Sequence, residues 1–104
     1  MIIVTSDSVE TRQIKEVLGI VNASTVRARH VGRDIMAGLR TIVGGEVQEY
    51  TRLLAEAREI AMQRMVEKAE AMGANAIVGT RFMTSTIMGG ASEILVYGTA
   101  VVIE

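Results

Sequence analysis

The single histidine of this chain stands beside two arginines. His30 follows Arg27 and Arg29 at the end of a segment rich in β-branched residues. Imidazole is the side chain best suited to general base catalysis near neutral pH, and guanidinium groups bind anions. The three residues therefore predict either a base or small anion site, or simply the exposed end of a strand, which is the simpler interpretation.

A second candidate is a charge within an otherwise uncharged segment. Arg81 interrupts residues 76–88, and Glu93 follows on the other side of a glycine pair at 89–90. Because a charge in a buried strand usually needs a partner, we expect Arg81 to pair with Glu93 across the hairpin or between subunits. The alternative is a ligand site that lines a subunit junction or a central opening.

Carboxylates gather around another glycine pair, at 44–45. Asp34, Glu46 and Glu49, with Tyr50, could supply oxygen ligands to Mg²⁺ or Ca²⁺, although acidic residues at a helix start more commonly interact with the helix dipole. Soft metals need thiolates or clustered imidazoles, and the chain has no cysteine and one histidine. A metal ion is therefore weakly supported, with His30 and Glu46 as its candidate ligands, and the sequence identifies no other cofactor.

Composition and charge exclude several classes of protein. The chain has 104 residues, 49% of them hydrophobic and none of them proline, which excludes a disordered tail and predicts one domain over residues 1–104. Eleven Lys and Arg against twelve Asp and Glu give a formal charge of −1. This balance offers no electrostatic case for a nucleic acid or an anionic membrane as partner.

Motifs and targeting signals are absent from the sequence. It contains no nucleophile elbow, zinc-protease motif or phosphate-binding glycine loop, so an enzyme is not the favoured interpretation. No apolar run approaches the ~18 residues of a membrane span, and no signal peptide is recognisable. Together with the lack of cysteine, these features lead us to expect a cytoplasmic protein.

Hydrophobic periodicity predicts the elements that position the candidate residues. Strands are predicted over 2–5, 17–30, 76–88 and 93–103, with a long helix over 46–72, a short helix over 35–43 and a weakly indicated helical turn over 9–15. The order β-β-α-α-β-β predicts an α+β fold. We expect an approximately four-stranded, mostly antiparallel sheet with the short and the long helix on one face.

Both faces of the predicted sheet are apolar. In the last strand, Ile94 and Val96 alternate with Leu95 and Tyr97, whereas a half-exposed strand would have one polar face. Four strands form a sheet about 19 Å wide, which two helices of ~10 Å cover on one side only. We therefore expect a second copy of the chain to cover the other face, in an obligate homo-oligomer. The alternative is a monomer with moderately apolar strands.

Six segments carry a resemblance to a known family. They are residues 34–40, 42–46, 49–50, 57–58, 73–79 and 97–101, of which Gly-Ala-Asn-Ala-Ile-Val-Gly at 73–79 and Gly-Gly-Glu at 44–46 are the most specific. In this order they resemble the YbjQ family of small bacterial and archaeal proteins, which is also described as a heavy-metal-binding domain. The resemblance covers nearly the whole chain.

The resemblance implies an α+β fold with a long helix on a sheet. It also implies a ring-shaped assembly, most often pentameric, in which strands of neighbouring subunits meet. We therefore expect the partner to be the chain itself, as a homopentamer or a stack of rings. The resemblance brings no catalytic residues, and a heavy-metal site would need several copies of His30 brought together by symmetry.

These observations favour a ring-forming binding or scaffold module that holds a small ligand or metal at its subunit junctions. Its candidate ligand-binding residues are Arg27, Arg29, His30, Arg81 and Glu93. Two alternatives remain. One is an enzyme with a composite intersubunit site, and the other is a purely structural ring that docks another protein.

Overall fold

The structure is a computed structural model that describes residues 1–27, 45–88 and 91–104. Within these ranges the elements are β1 (Ile2–Ile3), β2 (Ile14–Arg27), α1 (Gly45–Ala71), β3 (Ala76–Met88) and β4 (Ala91–Ile103). The predicted α+β class is confirmed. The predicted short helix over 35–43 lies outside the described residues.

The four strands form one sheet in the order β1-β3-β4-β2. β3 and β4 are an antiparallel hairpin, and β2 runs antiparallel to β4. β1 pairs in parallel with the start of β3, where Ile2 lies opposite Ala76. β2 is therefore an edge strand, and β3 borders the short β1 at one end only.

Helix α1 packs on the sheet through a stripe of three alanines and one methionine. Ala57, Ala61, Met65 and Ala69 recur every four residues and are completely buried, which is the spacing of one helical face. The alanines allow a close approach to β2 and β4, the two strands that α1 contacts. The helix ends at Ala71, and Gly73 in the turn that follows has a φ of 92°, which suits glycine. No helix in the described ranges is long and apolar enough to span a membrane.

The opposite face of the sheet is covered at one end by side chains of the N-terminal segment, residues 2–14. A second buried cluster lies there, to which Ala76, Val78, Val101 and Ile103 belong, with Ile2, Val4, Val9 and Ile14 packed against it. The backbone N–H of Val4 donates to the carbonyl of Ile77 at 3.0 Å, and that of Gly79 donates to the carbonyl of Ser6 at 2.8 Å.

This packing corrects two expectations. The expectation that nothing in the chain covers the second face is wrong for this end of the sheet, because Ile2, Val4, Val9 and Ile14 pack on it. The helical turn expected over 9–15 is also wrong. Val9 instead forms an isolated bridge with Arg12, and β2 begins at Ile14.

The two stretches at 73–79 and 97–101 pair with each other. Ala76 lies opposite Val101, and Ile77 lies opposite Ala100. Asn75 extends this pairing with its side chain. Its Nδ2 donates to the carbonyl of Ile103 at 2.9 Å, and its Oδ1 accepts from the N–H of Ile103 at 2.7 Å. These residues therefore have a structural role in the hairpin.

Gly98 lies where the pairing of β3 with β4 is interrupted by a bulge. A Cβ at Gly98 would stand 2.7 Å from Cγ2 of Ile77 and 3.1 Å from the carbonyl oxygen of Val78. Since a backbone oxygen of a paired strand cannot move freely, we expect Gly98→Ala to lower the free energy of unfolding by about 1–3 kcal/mol in urea denaturation. Thr99→Ala, at the next position of β4, should cost less. An unchanged denaturation midpoint for Gly98→Ala would contradict this packing.

Candidate functional site

Beyond the N-terminal segment, the sheet face opposite α1 carries exposed apolar side chains. Ile20 is 76% exposed, Met83 56% and Val26 54%. Leu95 and Tyr97 lie between these strands on β4 and are half-buried. We call this surface the open face and define it by Ile20, Val26, Arg81, Met83, Leu95 and Tyr97.

Strand β3 is exposed over residues 81–85. Met83 belongs to the open face, whereas Phe82 pairs with Val96 on the helix side and is 44% exposed. Phe82 is uncovered because α1 contacts β2 and β4 instead. Within the described residues, the last backbone bond between β3 and the N-terminal segment is that from the N–H of Thr80 to the carbonyl of Val4. Beyond this point, among residues 1–27, 45–88 and 91–104, no strand pairs with the outer edge of β3, and residues 81–85 are exposed.

Arg81 places a positive charge on the open face. Its Nη1 donates to the carbonyl of Thr5 at 2.7 Å and to the carbonyl of Thr80 at 2.9 Å, so two main-chain contacts fix the guanidinium. Nε and Nη2 have no hydrogen-bond partner in the part of the chain that the structure describes. A guanidinium with free donors can bind a carboxylate or another anion.

Glu93 does not lie opposite Arg81. The register places Glu93 between Val26 and Ser85, and it places Arg81 opposite Tyr97. Four residues of strand separate the two charges, which is about 13 Å. The expected pair across the hairpin is therefore wrong, because the short connection to β4 fixes Ser85 as the cross-strand neighbour of Glu93.

The other predicted site residues are described only in part. Arg27 ends β2, where its backbone pairs with Ser92, beside Glu93. Arg29 and His30 lie outside the described residues. Glu46 lies in the first turn of α1, but its side chain is also outside the description. Among the predicted residues, Arg81 is thus the one that the structure places on the open face with its contacts defined.

The described residues of one chain do not fit a heavy-metal centre. They contain no group of three His, Cys, Asp or Glu side chains placed to hold a metal ion. Heavy metals favour thiolates and imidazoles, and the whole sequence offers His30 alone. His30 and Glu46 therefore remain predicted ligands only for a site shared between chains.

Sequence reasoning missed two groups of residues. Phe82 and Met83 are apolar in the sequence, but their exposure cannot be predicted from it, since exposure depends on where the helix lies. Arg64 and Lys68 of α1 bond to main-chain carbonyls of β2. No sequence pattern marks such a contact, because it depends on the distance between the helix and the strand.

A family model described as "Putative heavy-metal-binding" matches residues 1–104. The chain belongs to the YbjQ family. Among its relatives are UPF0145 proteins of Methanosarcina acetivorans, 57% identical over 97% of this chain and 95% of the relative, and of Thermotoga maritima, 51% identical over 100% and 98%. A UPF0145 protein of Thermus thermophilus is 52% identical over 100% of this chain and 91% of its own length.

The fold of this YbjQ chain also matches a solved structure. It is the crystal structure of a protein of unknown function from Pediococcus pentosaceus that is assigned to the DUF74 family. The TM-score is 0.66 at 18% identity, and the match covers 100% of this chain and 98% of the other. At this identity the similarity concerns the fold alone.

The separation of Arg81 from Glu93 can be tested with a double-mutant cycle. We expect Arg81→Ala and Glu93→Ala to have additive effects on unfolding in an isolated protomer, because charges about 13 Å apart interact weakly in salt. The measurement is made at a protein concentration at which light scattering gives the mass of a single chain. A coupling energy above about 1 kcal/mol in urea denaturation would place the two side chains in contact and contradict the register.

Proposed function

We propose that the chain is the subunit of a ring-forming homo-oligomer that acts as a binding or scaffold module. The observation that carries the proposal is the exposure of β3 over residues 81–85, on both faces and along its outer edge. An unpaired strand edge with apolar side chains is a site at which another chain pairs. A cytoplasmic location fits this proposal, since the chain has no cysteine.

The exposed surface area of the chain is larger than that of a compact monomer, which supports a contact with another chain. The chain exposes 6695 Å², about 1,000 Å² more than a compact monomer of its mass would expose. Its radius of gyration is 16.9 Å, whereas a compact domain of 100 residues has about 13 Å. Specific protein interfaces bury about 800 Å² on each partner, so the surplus equals roughly one such contact.

A ring requires that β3 of one subunit contacts a different surface of the next. Such head-to-tail contacts close into a ring when the rotation between subunits allows it. The YbjQ family resemblance favours five subunits, or a stack of such rings. The apolar residues of the open face then lie at the junction, where a neighbouring subunit shields them from water.

Arg81 gives this junction a binding function. The open face carries apolar neighbours around a fixed guanidinium, and a neighbouring subunit that covers them would lower the local dielectric. An anion is bound more strongly in such surroundings than in water. We therefore assign Arg81 to a small anionic ligand or to a carboxylate of the neighbouring subunit.

Light scattering and native mass spectrometry at micromolar concentration test the assembly. We expect a multiple of 11.2 kDa for the native chain. Phe82→Glu and Met83→Lys should reduce this mass to that of one folded chain, because the first buries an unpaired carboxylate at the contact and the second adds a positive charge two residues from Arg81. Gln63→Glu and Gln63→Lys, at an exposed position of α1, add the same charges and should leave the assembly intact. A single-chain mass for the native protein, or assembly retained by both β3 variants, would contradict the proposal.

Metal binding separates the two kinds of ligand. Because one chain has a single imidazole and no thiolate, we expect Zn²⁺, Cu²⁺ or Ni²⁺ to bind only where several chains contribute. A metal ion at a free concentration of about one hundred times its Kd stabilises the folded protein by about 2.7 kcal/mol, which raises the Tm. This rise in Tm should disappear in His30→Ala, Glu46→Ala and Phe82→Glu. Metal binding by the single Phe82→Glu chain contradicts a shared site. No shift in the assembled native protein with any of the three metals rejects the metal and leaves the anion.

A further inference from the structure

We propose that Arg64 and Lys68 block the addition of another strand to the outer edge of β2. Arg64 Nη1 donates to the carbonyl of Ser24 at 2.9 Å, and Lys68 Nζ donates to the carbonyl of Asn22 at 3.0 Å. β2 is the last strand on its side of the sheet. The inference goes beyond the proposed assembly and holds whether or not a ring forms.

The spacing of the two cations matches that of the two carbonyls. Arg64 and Lys68 are one helical turn apart, about 6 Å along α1. Asn22 and Ser24 are two residues apart, about 7 Å along β2. Alternate residues of an antiparallel strand direct their carbonyls to the same side. The two cations therefore bond to successive carbonyls on the outer edge of β2.

The edge that they bond is one that needs protection. β2 is 14 residues long, and Val17, Ile20 and Val26 along it are 64%, 76% and 54% exposed. Long apolar edge strands pair with copies of themselves unless charged groups or other devices block them. The bonded carbonyls lie between Ile20 and Val26. A strand added there would lose two hydrogen bonds in the middle of the stretch.

The space beside this edge is charged. A groove of about 460 Å³ lies between α1 and β2, lined by Ala23, Ser24, Arg64, Glu67, Lys68 and Ala71. Any strand that entered it would remove water from three charged side chains as well as displace two of them. Desolvation of charges without new partners is costly, so the groove opposes the same event as the two hydrogen bonds.

The opposite edge of the sheet has no comparable protection within the described residues. The N-terminal segment is bonded to β3 as far as Thr80, and residues 81–85 follow uncovered. Blocking β2 therefore leaves β3 as the edge open to a second copy. This asymmetry prevents pairing of β2 edges, which would extend the sheet from chain to chain.

The double variant Arg64→Ala with Lys68→Ala tests whether these two side chains block strand addition to β2. We expect it to form species several-fold larger than the native protein under the same conditions, with thioflavin T binding as a sign of added strands. Size is measured by light scattering relative to the native mass, whatever that mass is. A single-chain mass for the native protein would contradict the proposed ring. It is a different result from an unchanged size of the double variant, which would contradict the blocking role of Arg64 and Lys68.

Two matched variants serve as controls. Arg58→Ala removes one positive charge, as each single variant does, from an exposed position of α1 that bonds neither carbonyl, and it should keep the native size. Arg64→Lys with Lys68→Arg retains both donors and should do so too. A double Ala variant of native size without thioflavin T binding overturns the proposal, as does enlargement of the charge-matched control.

The single variants decide the question if the double variant does not fold by circular dichroism. Arg64→Ala and Lys68→Ala each retain one of the two cations. Enlarged species in either of them support the blocking of the β2 edge by these side chains. Native size in both of them, in folded protein, overturns it.

Discussion

The width of one helix limits what the rest of the described structure can cover. α1 is ~10 Å across, whereas the three strands β3, β4 and β2, which continue past the short β1, are together about 14 Å wide. The alanine stripe holds α1 close to β2 and β4, and this position leaves the far part of β3 bare on the same side. The N-terminal segment covers only one end of the opposite face. The exposed strand and the open face follow from this incomplete cover, and Arg81 lies where the cover ends, bonded to the carbonyl of Thr5.

Much of the fold could be predicted from the sequence where the periodicity is long. The helix predicted over 46–72 is observed as Gly45–Ala71, and the strand predicted over 76–88 has the predicted bounds. A sustained pattern of buried alanines or alternating apolar residues leaves few alternative structures. The strand predicted over 2–5 is observed as Ile2–Ile3, but the path of residues 6–14 was not predicted, because their contacts with β3 and β4 are distant in sequence and leave no local period.

The site was less predictable, since it depends on register and cover. The apolar residues on both faces correctly indicated a surface in excess of what one helix can bury, but not that Val78 and Val101 are covered by the chain itself. Arg81 was recognised as a charge that needs a partner. Its observed partners are the carbonyls of Thr5 and Thr80 rather than Glu93, and such main-chain partners cannot be read from residue types.

Amide hydrogen exchange over residues 81–85, at the micromolar concentrations at which we expect the chain to assemble, tests this account most directly. The account predicts protection comparable to that of residues 76–80, because a neighbouring chain covers the strand, and loss of that protection in Phe82→Glu. Fast exchange over 81–85 in the native protein, with residues 76–80 protected, would show that water covers this strand and would contradict the account.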